Sequence, residues 1–269
     1  MFDKIIYLTE STCSIGKTVG FSIFTIDIRW YALAYILGLI LGQSYIKILL
    51  KTKLQNNKIT PQNIEIFLLW AMLGILLGGR IGYALFYNLD FYLSYPTKIF
   101  YLWQGGMSFH GGLLGILLAM IIFCKKYKIS FLNFTDLICA AAPIGIFLGR
   151  ITNFLNGELW GRPSNLPWAI NFKCAGDITR HPSQLYEAFL EGIILFTIIY
   201  FLVSKLKLLN YPGRISGLFC FLYALFRIII EFFREPDAQI GFIMFNFTMG
   251  IILSLPLLLI GMFLLIKNK

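Results

Sequence analysis

Seven stretches of this chain are long and apolar enough to span a bilayer, and that property removes most folds from consideration. They run at about 28–50, 62–88, 106–124, 136–155, 183–204, 215–233 and 242–266, read by length and hydropathy. In hydrocarbon every backbone N–H and C=O needs a partner within the protein, so such stretches are read as helices. Only 13% of the 269 residues are charged against 58% hydrophobic, and the mean hydropathy is +0.76. The expectation is an all-α integral membrane protein, a bundle of about seven transmembrane helices forming a single polytopic domain over residues 1–269.

The formal charge of +10 is not a nucleic-acid footprint, because the basic residues sort by loop. Lys47, Lys51, Lys53 and Lys58 follow the first span, and Lys125, Lys126 and Lys128 follow the third. Lys205, Lys207 and Arg214 follow the fifth, and Lys267 and Lys269 close the chain. These segments hold none of the 13 acids. The positive-inside rule therefore places them in the cytoplasm, with the N-terminus outside and the C-terminus inside. The first nineteen residues lack the charge, apolar run and small-residue site of a cleavable signal peptide, so the first span is expected to serve as its own targeting signal. Cys13, Cys124, Cys139, Cys174 and Cys220 form no C-x-x-C pair and receive no role.

Three arginines interrupt the apolar runs: Arg80, Arg150 and Arg227. Each costs roughly 2.5–3.5 kcal/mol at mid-bilayer on an insertion scale, so each is expected to engage a polar or anionic group. Counted from the cytoplasmic ends at ~1.5 Å per residue, Arg150 lies about 21 Å up, Arg227 about 18 Å and Arg80 about 28 Å, in the outer half of the bilayer.

On the sixth span Tyr223, Arg227 and Glu231 recur every four residues, with Arg234 one turn on, so they share a helix face and Arg227 can pair with Glu231. That pair is either a structural ion pair or an anion site. On the fourth span Arg150 and Asn153 lie one turn apart, and the helix leaves the membrane through Asn156, Gly157 and Glu158. So many donors and acceptors need a cavity or an interface, although a turn capped by Asn156 would also explain some of them. Pro143 is expected to kink this helix.

The third span opens with four glycines around His110, which suits either proton transfer or a structural hydrogen bond. Gln184, Glu187 and Glu191 on the fifth span form a polar stripe expected to face the bundle interior. Tyr31 and Tyr35 read as aromatic-belt residues. No clustered Cys/His spacing supports a metal site, and no phosphate loop or G-x-S-x-G nucleophile appears.

Taken together, GGRIGYALFYN, GGMSFHGG, GRITNFLNGELWG, RHPSQLYE and FRIIIEFFREPDAQ resemble the phosphatidylglycerol:prolipoprotein diacylglyceryl transferase family, in the family's order and over nearly the whole chain. The resemblance implies transfer of a diacylglyceryl group from phosphatidylglycerol to the lipobox cysteine of a prolipoprotein. A thioether forms, glycerol 1-phosphate leaves, and lipoprotein maturation begins. It implies catalytic roles for His110, Arg227, Glu231, Glu158 and Tyr31. It implies phosphatidylglycerol-binding roles for Arg150, Asn153, Arg227, Gly161, Tyr223 and Arg234. It further implies no cofactor and no metal, the bacterial cytoplasmic (inner) membrane as location, and the lipid, the lipobox segment and the bilayer as partners.

A displacement at carbon needs the departing phosphate held, which suits guanidinium forks, and a thiolate, which a base would supply. His110 is the candidate base, with Glu231 and Glu158 as rivals. Thr152 and Ile251 depart from the family pattern, where glycine and glutamine are usual. A transporter using the same intramembrane charges is the competing class, but no internal repeat is present.

Overall fold

The computed structural model describes residues 20–23, 26–53, 58–101, 105–172, 175–236, 241 and 247–267. The first nineteen residues, Cys13, Lys173, Cys174 and Lys269 lie outside them. A short antiparallel hairpin, β1 (Gly20–Ile23) and β2 (Ile26–Arg29), leads directly into helix α1 (Trp30–Lys53). Then follow α2 (Pro61–Tyr87), the short α3 (Leu89–Ser94), a 3-10 turn (Pro96–Phe100), α4 (Phe109–Lys126) and α5 (Phe131–Leu155). A two-residue pair, β3 (Ile170–Asn171) with β4 (Thr179–Arg180), precedes α6 (Ser183–Leu206), α7 (Arg214–Glu231) and α8 (Met249–Lys267).

Among the described residues five helices, Trp30–Lys51 of α1 together with α2, α5, α6 and α8, are long and apolar enough to cross a membrane. The fold is that of a helical multi-pass membrane protein. Large apolar side chains on these helices stay uncovered by protein, among them Leu69, Leu73 and Leu77 on α2 and Leu259 and Phe263 on α8. A helix that is apolar all round in this way is suited to lipid on its outer face.

The residues fall into two compact units, one of residues 1–49 with 135–269 and the other of residues 50–134. In the second unit α2 begins as its sequence dictates. Thr60 accepts from the Asn63 amide at 3.3 Å, the Asn63 side chain accepts from the Thr60 amide at 2.8 Å, and Pro61 fills the first helical position. Gly74, Gly78 and Gly82 then meet Gly111 and Gly115 of α4. A Cβ on Gly82 would sit 2.8 Å from the Gly111 Cα, and one on Gly78 would sit 2.7 Å from the Gly115 Cα. Only glycine lets the two backbones approach this closely. At the other end of the same helix pair Phe67, Phe123 and Phe134 pack with ring centroids 4.8–5.4 Å apart, Phe123 and Phe134 fully buried.

Arg80 belongs to this unit and is spent on structure. Its Nε donates to the Ile99 carbonyl at 2.8 Å and its Nη2 to the carbonyls of Lys98 (2.8 Å) and Tyr101 (3.0 Å). Its Nη1 donates to the Gly105 and Gly106 carbonyls, the latter at 3.1 Å. The guanidinium thus ties the carbonyl end of the 3-10 turn to the segment that enters α4, where a cation is favoured.

Helix starts differ from the sequence reading in three places. Gly105 and Gly106 have φ of +77° and +80°, which a right-handed helix excludes, so α4 begins at Phe109 behind the Ser108 cap rather than near 106. α5 begins at Phe131, a turn before Thr135, which raises Arg150 to about 28 Å above the helix start. The carboxylate of Asp136 is free to serve another helix: it accepts from the Gly213 amide (2.7 Å), the Ser216 amide (2.7 Å) and the Ser216 hydroxyl (2.6 Å), capping α7. α8 is described from Met249, with 242–246 outside the described residues. α5 runs unbroken through Pro143.

Candidate functional site

The first unit gathers nine of the ten expected site residues on α1, α5, the segment 156–163, α7 and its exit. α6 supplies their charge partners. Gln184, Glu187 and Glu191 are fully buried, as the stripe predicted. Between Glu187 and the regular end of α6 lies a π turn, Ala188–Ile194. Such turns recur at functional sites because they rotate side chains out of the α register. Gly192 in this turn faces α5: a Cβ there would stand 2.7 Å from the Phe147 Cβ. The close approach brings Arg150, one turn beyond Phe147, against the α6 carboxylates.

The ion pairs form one network. Arg150 Nη1 lies 3.2 Å from Glu187 Oε2, and its Nη2 donates to Glu191 Oε2 at 3.3 Å. Arg227 Nη1 donates to Glu187 Oε1, and its Nη2 lies 2.9 Å from Glu231 Oε2, the pair expected from the i,i+4 spacing. Arg234 Nη1 reaches Glu187 Oε1 at 3.5 Å. One buried carboxylate, Glu187, therefore serves three guanidiniums. Tyr223 lies among the same charges, with Glu191, Arg150, Arg227 and Glu187 as its neighbours. Gly250 of α8 closes the floor, since a Cβ there would collide with the Glu231 carboxylate at 2.6–2.7 Å.

A second group adjoins Arg150. Glu158 Oε1 accepts from the Tyr31 hydroxyl, from Asn153 Nδ2 at 3.3 Å and from Asn156 Nδ2 at 3.1 Å, and Asn153 Nδ2 also donates to the Tyr31 oxygen. Tyr31 thus does more than sit in an aromatic belt; Tyr35, stacked on it at 6.4 Å, is largely exposed. Positive φ at Gly157 (+61°) and Leu159 (+57°) folds the chain back so that Glu158 reaches Asn153. Gln184 Nε2 pins the Glu158 carbonyl at 2.6 Å, and the Ser183 hydroxyl pins that of Leu159 at 3.0 Å.

Gly161 is closely hemmed in by the backbone around it. Its amide donates to the His181 carbonyl at 2.9 Å, its backbone pairs with Arg234, and a Cβ would meet the His181 Cβ, the His181 carbonyl and the Phe233 carbonyl, each at 2.6 Å. The Arg162 amide donates to the Phe233 carbonyl at 2.9 Å and its Nε to the Arg234 carbonyl at 3.0 Å, so this lattice sets where Arg234 stands. Beside it lies a cavity of about 340 Å³ walled by Trp168, His181, Tyr186, Ile229, Ile230 and Phe233.

His110 stands in the other unit, exposed, in the first turn of α4 just behind the Ser108 cap. Glu187 and Glu191 were legible as an inward stripe but not as partners of the arginines. Counting charges would have found them, because three basic groups held inside helices need about three acids. Gly250 left no sequence signal beyond its residue type.

Residues 18–267 match the sequence profile described as "Prolipoprotein diacylglyceryl transferase". Relatives named phosphatidylglycerol--prolipoprotein diacylglyceryl transferase include those of Nitrobacter winogradskyi, 50% identical over 93% of this chain and 88% of the relative, and Rickettsia felis, 51% identical over 93% and 95%. That of Rhizobium meliloti is 49% identical over 93% and 91%. The chain belongs to the prolipoprotein diacylglyceryl transferase family.

Proposed function

We propose that this chain transfers the diacylglyceryl group of phosphatidylglycerol to the thiol of a prolipoprotein's lipobox cysteine, forming a thioether and releasing glycerol 1-phosphate as the first step of lipoprotein maturation. The observation that carries the reading at this site is the arginine network. Arg150 from α5, and Arg227 and Arg234 from α7 and its exit, converge on the single carboxylate of Glu187. A site that holds three guanidiniums around one small anion is preorganised for a phosphate.

In this reading Arg150 and Arg227 grip the phosphodiester and offset the charge that grows on the departing oxygen as the carbon–oxygen bond breaks. Arg234 completes the cradle, with Tyr223 and Asn153 as polar wall and Gly161 holding the Arg234 backbone in register. The cysteine sulfur attacks the glyceryl carbon, its proton goes to a base, and the electron pair of the broken bond stays with glycerol 1-phosphate. Glu158 Oε1 accepts from Tyr31, Asn153 and Asn156, and Glu231 is paired with Arg227. His110 is the proton acceptor by its motif position, with Tyr31 and Glu158 ordering the Asn153 side of the site and Glu231 orienting Arg227. The apolar cavity beside Phe233 suits a hydrocarbon or an apolar peptide side chain.

The topology of the reading is seven spans, the five apolar helices with α4 and α7 added, in the bacterial cytoplasmic membrane. The N-terminus is outside and the C-terminus inside, by the distribution of lysines. That orientation puts the arginine network toward the outer leaflet, where exported prolipoproteins arrive.

The test is transfer by the detergent-purified or vesicle-reconstituted protein, with phosphatidylglycerol labelled in its acyl chains and a lipobox peptide as acceptor. The expected product is a peptide heavier by one diacylglyceryl group, together with glycerol 1-phosphate. A peptide that stays unmodified, or label released without transfer, refutes the proposal.

A further inference from the structure

We propose that Glu191 takes up a proton when a phosphodiester lipid enters the arginine network. The inference rests on the reading that Arg150 and Arg227 hold the lipid phosphate. Its basis is the balance of charge around one side chain. Arg150, Arg227 and Arg234 face Glu187, Glu191 and Glu231, so the network is neutral as it stands. A phosphodiester adds one negative charge to a region closed off from water, where uncompensated charge is strongly disfavoured.

Geometry selects the carboxylate that must yield. Arg150 has its two terminal nitrogens committed to two different acids, 3.2 Å from Glu187 and 3.3 Å from Glu191. A phosphate taken into the fork between those two nitrogens displaces the acid that has the fewest other partners. Glu187 also holds Arg227 and Arg234, and Glu231 keeps Arg227 at 2.9 Å. Glu191 has its ion pair with Arg150 and loses it. Its side chain is fully buried, and its Oε1 has no hydrogen-bond partner among the described residues.

The charged and titratable groups facing Glu191 are Arg150 from α5, Glu187 from α6 itself, and Arg227 and Tyr223 from α7. Once Arg150 turns to the phosphate, Glu191 faces Glu187 and the incoming anion. A proton from solvent on Glu191 restores neutrality and converts the acid into an O–H donor. When the phosphate leaves, Arg150 returns and the proton is released. The proton is balanced by binding and release and is separate from the thiol proton of the transfer step.

Lipid binding is measured on full-length purified protein by calorimetry in mixed micelles, in two buffers of different ionisation heat and over a range of pH. Phosphatidylglycerol is the probe and diacylglycerol, which lacks phosphate, is the control. For the wild type, about one proton per lipid is expected, and affinity for phosphatidylglycerol strengthens by up to about tenfold per unit fall in pH, with no pH slope for diacylglycerol. Glu191→Gln is expected to bind phosphatidylglycerol with no proton uptake and no pH slope. Glu191→Met, neutral and of similar length, replaces it if the glutamine variant does not fold.

Wild-type protein that binds phosphatidylglycerol more tightly than diacylglycerol, yet takes up no proton, overturns the proposal. So does a folded Glu191 variant that still takes up a full proton. Equal binding of phosphatidylglycerol and diacylglycerol, unchanged by Arg150→Lys, is a different failure. It removes the phosphate reading itself, and this inference with it.

Discussion

Replacing Arg227 with Met strands two carboxylates to different degrees, and that asymmetry yields a measurable coupling. Glu231, nearly buried, loses its partner at 2.9 Å. Glu187 loses one guanidinium but keeps Arg150 at 3.2 Å and Arg234 at 3.5 Å. Arg227 and Glu231 expose only 12% and 5% of their side chains, so solvent screening is small and the cost of breaking a buried pair applies, roughly 3–5 kcal/mol. Adding Glu231→Leu removes the stranded charge. What remains is the lost contact to Glu187, roughly 0–2 kcal/mol, so the second mutation recovers about 1–5 kcal/mol of the first. At about 2–4 °C per kcal/mol the single variant loses roughly 6–20 °C in Tm and the double variant no more than about 8 °C. Activity separates from stability: both variants lack the guanidinium that meets the phosphate and lose roughly 10²–10³-fold in kcat. The assay pairs thermal unfolding in detergent with diacylglyceryl transfer to a lipobox peptide. A double variant no more stable than Arg227→Met refutes the charge argument, and a stable double variant that turns over within threefold of the wild type, about 0.7 kcal/mol, removes Arg227 from the chemistry.

Three further outcomes are expected. Arg150→Lys keeps the charge but cannot reach both Glu187 and Glu191, and it is expected to fold while losing roughly 10–100-fold in turnover, so near-normal activity shows that charge alone suffices. Gly161→Ala forces a Cβ into two backbone carbonyls at 2.6 Å, which costs roughly 1–3 kcal/mol and displaces Arg234; unchanged Tm and unchanged KM for phosphatidylglycerol contradict this. In a background lacking native cysteines, Lys126→Cys and Lys205→Cys are shielded from a membrane-impermeant thiol reagent in intact cells, whereas Lys173→Cys reacts, and labelling at 126 or 205 from outside inverts the topology.

Local order in the helices follows from neighbours in the chain, so it could be read directly. The Arg227–Glu231 pair and the inward stripe Gln184-Glu187-Glu191 rest on spacings of three or four residues. Where the reading slipped, a non-local or conformational fact was decisive. Asp136 looked like the start of its own helix because an acid near an apolar run signals a cap, yet it caps α7, 77 positions away. Gly105 and Gly106 interrupt the helix through a positive φ that composition does not reveal.

Hydrophobic length, helical period and loop charge, each set by nearest neighbours and by the bilayer, were enough to read a helical membrane protein, its expected orientation and a set of candidate site residues. Partner choice needed the folded chain. That Arg80 is consumed by five loop carbonyls while Arg150 and Arg227 meet on Glu187 depends on which helices pack together, and no single-helix pattern encodes it. Electrostatic pairing acts over a few ångströms in space and is indifferent to separation along the chain. The difference between an arginine spent on loop carbonyls and one held in an ion-pair network is therefore a property of tertiary structure.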